Sequence, residues 1–287
     1  MDINHAISKT LVYSDIFDYP LTKAELWRYL ITSNKVSKSE FEQNLKKHPQ
    51  VEYYKGYFIL KGKKTLIRKR EEKIKTNQIK KTIALRAAKI LSLVPGVVFV
   101  GISGSVSMQN ADDNDDIDLI ILTKKDVIFI TRLFCALILN YKKMLRRRNS
   151  LSLKNKICLN LFIDKDYIFE ISKQNLYTAH ELAQVVPLFE RKNSFESFLQ
   201  RNNWVKKYLI NSTVKSKVLL SKYNLVSQIF YPLLILINFP AKYLQLFLMR
   251  KVKTREILTD KILAFHPNDY QADILASYQK KLELLNL

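Results

Sequence analysis

A glycine-serine pair and two aspartates have the residue types and spacing to do chemistry. Val97-Val98-Phe99-Val100-Gly101-Ile102 reads as a buried strand running into Ser103-Gly104-Ser105, where a glycine lets backbone come close to an anion. Amides at the start of a following helix, with the Ser105 hydroxyl, can donate to phosphate oxygens. A second apolar strand, Asp116-Ile117-Asp118-Leu119-Ile120-Ile121-Leu122, starts 11 residues after Ser105. Residues two apart on a strand project to one face roughly 6–7 Å from each other. Asp116 and Asp118 can therefore share one or two hard divalent cations. Such cations at an α-phosphate would activate an incoming hydroxyl and stabilise a departing pyrophosphate oxygen.

A third apolar run, Lys156-Ile157-Cys158-Leu159-Asn160-Leu161-Phe162-Ile163, reads as a third strand and carries Asn160. A neutral amide can lend an oxygen to a metal but cannot accept the proton of an attacking hydroxyl. Asp164 lies roughly 13 Å along the same face, too far to substitute without a bulge. Cys158 is expected to be a small packing residue and Cys135 a core residue, because no Cys/His cluster has zinc spacing.

The elements that must position these residues begin with three short helices. Ala6, Ile7, Leu11, Val12, Ile16 and Phe17 recur at helical spacing before Asp18-Tyr19-Pro20 ends the run. Thr22 with Glu25, and Ser37 with Glu40, are capping-box signatures that open two more helices. Alternating residues from Val51 to Leu60, broken by Lys55-Gly56, then predict a hairpin. Three helices and a hairpin make a winged helix, whose third helix would present Lys38, Lys46 and Lys47 to DNA or serve only in packing. From Lys61 to Leu93 there are 12 Lys/Arg against two acids, on an amphipathic helical pattern. Its basic face is either a solvated outer surface or a phosphate-tracking one. An apolar helix from about Val127 to Tyr141 should pack on the sheet. The segment from Lys142 to Lys156 then carries seven cations and no acid, either a grip on nucleic acid or a solvated connection.

Taken together, Gly104-Ser105, the 11-residue spacing and Asp116-Ile117-Asp118-Leu119 resemble the signature of the DNA polymerase beta-like nucleotidyltransferase superfamily. The preceding winged helix, with Ser14-Asp15-Ile16-Phe17-Asp18-Tyr19-Pro20-Leu21-Thr22, resembles a group of little-studied bacterial and archaeal members. The resemblance implies that Ser105 helps hold a triphosphate and that Asp116 and Asp118 bind Mg2+. It also implies a third carboxylate, and Asn160 stands in its place. The residues after Gly104-Ser105 depart from the small and basic pattern, and Asp112, Asp113 and Asp115 add an acidic loop that binds extra metal or stays solvated.

In the C-terminal half, Thr178 and Glu181 read as a capping box, with Pro187 ending that helix. His180 is expected to be a hydrogen-bonded structural residue. Further helices are expected over 195–209 and 214–220, and a last one over 269–285, with His266 a turn residue before Pro267. Tyr223 to Ala241 is 19 residues without charge, the minimum for a membrane span. Its polar residues and its prolines at 232 and 240 favour buried helices of a soluble domain, with peripheral membrane contact through the basic flank as the alternative.

Composition bounds the rest. The 287 residues hold 48 Lys+Arg against 26 Asp+Glu, a formal charge of +22, with 47% apolar residues, five Gly, seven Pro and two Cys. Disordered, collagen-like and disulfide-scaffold classes are excluded. The two cysteines and an N-terminus without the flank and apolar core of a secretory signal predict a cytoplasmic protein. The large positive charge predicts phosphate-bearing partners. The expected fold is α+β: a winged-helix module over 1–62, a basic connecting helix over 63–94, a mixed-sheet nucleotidyltransferase core over 95–172 and a helical region over 173–287. The expected activity is metal-dependent transfer of a nucleoside monophosphate from an NTP to a hydroxyl acceptor. Gly104 and Ser105 would bind nucleotide, with Asp116, Asp118 and Asn160 at the catalytic centre. The alternative is a catalytically impaired nucleotide-sensing or DNA-binding regulator.

Overall fold

A computed structural model describes residues 2–147, 152–212, 230–249, 257–265 and 270–287. The expected helix over 214–220, Arg148, His266 and the cations from Arg250 to Arg255 lie outside the described residues. The first segment follows the order α1 (Ile3–Asp15), β1 (Leu21–Thr22), α2 (Lys23–Arg28), α3 (Lys38–Lys47), β2 (Val51–Tyr54) and β3 (Tyr57–Leu60). Its strands pair antiparallel as β1-β3-β2. The Thr22 hydroxyl caps α2 by accepting from the Glu25 amide while the Glu25 carboxylate takes the Thr22 amide at 2.8 Å, so this capping box forms in full. The hairpin turns at Lys55-Gly56, with both residues in the left-handed region.

A 27-residue helix, α4 (Thr65–Leu91), joins this segment to the main sheet. Nine of the cations expected on its basic face are exposed, but Arg70, Lys73 and Lys80 turn inward. Arg70 is buried, donates to both oxygens of Glu25 at 2.7 and 3.0 Å and to the Pro20 carbonyl, and lies over the Tyr19 and Tyr57 rings. Burial works against the Glu25 carboxylate, yet the Arg70 guanidinium and the Tyr19 hydroxyl hold it below its usual range. This pair clamps α4 to the first segment.

The main sheet contains β4 (Val97–Ile102), β5 (Ile117–Thr123), β6 (Ile157–Asp164), β7 (Val186–Glu190), β8 (Ile257–Leu258) and β9 (Ile262–Ala264), in the order β7-β4-β5-β6-β9-β8. Only β5 and β6 run parallel among these pairs, and α6 (Ile128–Tyr141) makes the crossover that a parallel pair needs. Alternation divides β5 between two cores: Ile117, Leu119 and Ile121 face α4 and α6, whereas Ile120 and Leu122 face the opposite layer. That layer holds α1, α7 (Leu176–Ala183), α8 (Ser194–Arg201) and α10 (Tyr270–Leu284). The fold is therefore α+β with a mixed sheet and a C-terminal region that is mainly helical.

Two expectations about that region are corrected. The region supplies β7, β8 and β9 as well as helices, and Pro187 sits inside β7 rather than closing a helix. Proline is tolerated there because β7 is an edge strand with one unpaired side. The apolar run expected to be buried and divided by prolines instead forms one continuous helix over its described part, α9 (Tyr231–Met249), with Pro240 inside it and most of its surface exposed.

Candidate functional site

The end of β4 and the start of β5 are held together by the antiparallel ladder. Ile102 pairs with Leu119, so Ser103 falls beside Asp118 and its amide donates to the Asp118 carbonyl at 3.0 Å. The chain then turns at Gly104, whose φ of +62° lies in the left-handed region, into a single helical turn, α5 (Gly104–Ser107). A Cβ at Gly104 would stand 2.7 Å from Oδ2 of Asp118. Glycine is thus required twice, for conformation and for close approach to the carboxylate.

The loop from Asn110 to Asp115 is neither solvated throughout nor free. Lys73, Asn77 and Lys80 project from successive turns of α4 and grip its backbone. Lys73 Nζ donates to the Asn110 carbonyl at 2.9 Å, Asn77 exchanges hydrogen bonds with Ala111, and fully buried Lys80 donates to the carbonyls of Asp113 and Asp115 at 3.1 and 2.5 Å. The basic helix therefore fixes the approach to Asp116.

Asp116, Asp118 and Cys158 each offer a ligand atom, and these atoms lie within 4.8 Å of one another, an arrangement that can hold a metal ion. The β5–β6 register creates it by pairing Asp118 with Cys158. A bulge follows, and Asn160 falls within it, buried, with its carbonyl accepting from the Phe265 amide at 3.0 Å. The β6 residue opposite Asp118 is thus the cysteine first read as packing, not Asn160. Cys135 is in the core as expected. Asp164, at the far end of β6, is fully buried and accepts from the amides of Asp126 and Asp166 and from Lys261, a structural role.

Arg146 supplies the counter-charge. Backbone bonds between Met144, Arg146 and Ile157 lay the residues after α6 beside β6. The Arg146 guanidinium then donates to Asp116 at 2.6 Å and approaches the Cys158 sulfur at 3.8 Å. At Asp118, burial and then the charge of Asp116 push the carboxyl up to about 7, outweighing a hydrogen bond with the Cys158 thiol and the charge of Arg146. Burial, followed by the charges of Asp118 and Asp116, pushes the Cys158 thiol up, so it stays protonated at neutral pH. The donor set is two carboxylate oxygens and a thiol, with the hard oxygen donors both on β5.

A cavity of about 300 Å³ adjoins Gly104 and Ser105. Its walls come from the first segment (Tyr13, Phe17, Tyr19, Tyr29), from α7 and from α10, so the stretch from Ser14 to Thr22 builds the pocket as well as ending α1. Most of the lining is aromatic or aliphatic, with Glu181 and Gln184 among the polar groups. Glu181 is pushed up to about 7, by burial and then by the charge of Asp118. The expected Thr178–Glu181 capping box does not form. Asn175 is the cap, accepting from the Thr178 amide at 3.0 Å, and Glu181 is left to line the cavity.

His180 is hydrogen-bonded, as expected, and also lines the cavity. It is buried, its ring stacks on Tyr13 with centroids 4.1 Å apart, and Nδ1 accepts from the Gln184 amide at 3.2 Å. Burial lowers it from 6.5 to about 3. A depressed histidine contributes stability above its unfolded value and loses it as pH falls towards the folded one. Relative to His180→Phe, the wild type should lose about 1.4 kcal/mol of unfolding free energy per pH unit from 6.5 down towards 3. Paired urea titrations across that range measure it, and parallel pH curves would contradict the buried neutral ring.

Fold and site define an α+β protein in which a mixed sheet brings a left-handed glycine turn, a two-carboxylate cluster and an aromatic cavity together. No family model, curated protein or solved structure matches the chain. Of the residues singled out in the sequence, the structure brings Gly104, Ser105, Asp116 and Asp118 together and places Asn160 in the adjoining bulge. Sequence reasoning missed Cys158, Arg146 and Glu181. The acid-free basic run before β6 was the only signal for Arg146.

Proposed function

We propose that the protein is a DNA polymerase beta-like nucleotidyltransferase with an N-terminal winged helix, transferring a nucleoside monophosphate from an NTP to a hydroxyl acceptor. The observation that carries this reading is the contact of the Gly104 turn with Asp118, which puts phosphate donors and the carboxylate cluster at one place. Backbone amides of the turn and the Ser105 hydroxyl hold phosphate oxygens. Asp116 and Asp118 hold Mg2+, which when bound supplies charge neutralisation at the α-phosphate and its leaving group. The raised proton affinity of Asp118 is consistent with a site whose charge balance calls for a cation.

The cavity beside the turn takes the acceptor. Its volume of about 300 Å³ and its aromatic lining suit a small compound whose body is aromatic or aliphatic. Glu181 has the proton affinity suited to accept the acceptor hydroxyl proton near neutral pH, the task for which Asn160 is chemically unfit. The acceptor oxygen bonds to the α-phosphorus, pyrophosphate leaves, and the proton goes to Glu181. Glu181→Gln should lower transfer about 100-fold or more while nucleotide affinity stays within about two-fold. Label-transfer rates beside equilibrium nucleotide binding test this, and a variant with undiminished transfer would remove Glu181 from the reaction.

A nucleotide-sensing regulator is the second reading. Cys158, not a carboxylate, stands opposite Asp118, and Lys38, Lys46 and Lys47 of α3 are exposed for DNA contact. That reading entails nucleotide binding without pyrophosphate release.

A further inference from the structure

Helix α9 packs Leu234, Ile237 and Ala241 inward together with its polar side chains and leaves most of its other large apolar side chains outward. Asn238 accepts from the amides of Phe129 and Ile130, both at 3.0 Å, at the start of α6. Gln245 donates to the Phe129 carbonyl at 2.8 Å and accepts from Arg132 at 2.6 Å. Lys242 pairs with Asp260 at 2.7 Å. On the opposite side Leu233, Leu236, Phe239, Tyr243 and Phe247 recur every three or four residues and are 50–72% exposed. They form a continuous apolar stripe. Only 17% of the helix's most apolar window is buried.

We propose that this stripe seats the protein on an anionic membrane surface, with α9 lying in the plane of the lipid headgroups. Charge complementarity selects this occupant. From Ser197 to Arg255 the chain contains eleven lysines and arginines and no acid, and α9 falls within that stretch. An apolar stripe flanked by cations is the composition of an interfacial helix, in which apolar burial and attraction to anionic lipid act together. A second copy of the chain would bring the same positive stretch against itself, within a molecule already at +22. A span is disfavoured because the inward face is tied to α6 by hydrogen bonds that insertion would break. The proposal is independent of the nucleotide site.

The full chain, without nucleotide, is floated with phosphatidylcholine vesicles and with vesicles that also contain phosphatidylglycerol. It should rise only with the anionic vesicles, and less as salt increases. Leu236→Glu with Phe247→Glu should weaken that partition about ten-fold or more. Both side chains are exposed, so the thermal midpoint should hold. Phe239→Trp gives a second readout, a blue shift of emission on adding anionic vesicles. Absence of flotation, flotation unaltered by the double substitution, a solution dimer broken by the same substitution, or vesicle binding that survives alkaline extraction would each overturn the proposal.

Discussion

Replacing Asp116 and Asp118 together by asparagine should abolish Mg2+-dependent nucleotide binding, a loss of about 100-fold or more, while the chain still folds. The geometry gives the reason. The two carboxylates provide the hard oxygens of the cluster, and among the described residues their loss leaves it only the thiol of Cys158. Folding should survive because the metal-free Asp118 carboxylate is no asset to the native state and Arg146, the partner of Asp116, keeps access to solvent. Asp118 is raised from 3.8 to about 7, so its charged form is worse accommodated in the native chain than in the unfolded one. A carboxyl raised on folding favours the native state at low pH and gives that up as pH rises from the unfolded value through the folded one. Between pH 4 and 7 the metal-free wild type should lose about 1.4 kcal/mol per pH unit through this group, and Asp118→Asn should not. Over the same interval Mg2+ affinity should strengthen, since the cation competes with the proton. Calorimetric titration of Mg2+ and nucleotide across this range, beside thermal melts, reads both effects. Unchanged affinity in the double variant would remove the metal site.

The second large effect is expected at Gly104. Alanine there meets two obstacles, a φ of +62° and a Cβ 2.7 Å from Oδ2 of Asp118. The conformational cost is about 1–2 kcal/mol. The contact cannot be relieved without moving the Asp118 carboxylate, which belongs to the candidate metal cluster. Gly104→Ala should therefore lose nucleotide affinity about 100-fold for only about 1–2 kcal/mol of stability. Gly62 is the control, since its φ is +82° but a Cβ there meets nothing within 4 Å. Gly62→Ala should cost similar stability and leave binding intact. Equal binding losses at the two positions would show that backbone strain, not contact with Asp118, is responsible.

How much of this was legible in the sequence depends on whether a residue's role is set locally or by packing. Thr22 with Glu25 and Lys55-Gly56 act through their immediate neighbours, and both formed as read. The apolar runs of β4, β5 and β6 announce buried strands, and the step from Asp116 to Asp118 fixes a shared face through strand alternation alone. The β5–β6 register is different. A bulge decides whether Cys158 or Asn160 stands opposite Asp118, and nothing local to β6 encodes it. Glu181 carried a false local signal: its spacing from Thr178 imitates a capping box, but Asn175 captured the helix start. β8 and β9 are two and three residues long, too short to leave a periodic pattern, and proline in β7 argued against a strand that its edge position permits. The apolarity of α9 was plain, but apolarity alone does not distinguish a helix buried in a core from one exposed on a surface. Arg146, Lys73 and Lys80 were hidden by abundance, since a chain with 48 cations gives no local sign of which three reach the site.

Purified protein with Mg2+ or Mn2+ is given α-phosphate-labelled ATP, CTP, GTP and UTP in turn, with cellular metabolites, protein and RNA offered as separate acceptor pools. The expected result is label moving into a small-molecule acceptor with stoichiometric pyrophosphate release, and neither in the Asp116→Asn, Asp118→Asn double variant. Nucleotide bound in a Mg2+-dependent manner, with no label transferred and no pyrophosphate released from any pool, would contradict the transferase and leave a sensor.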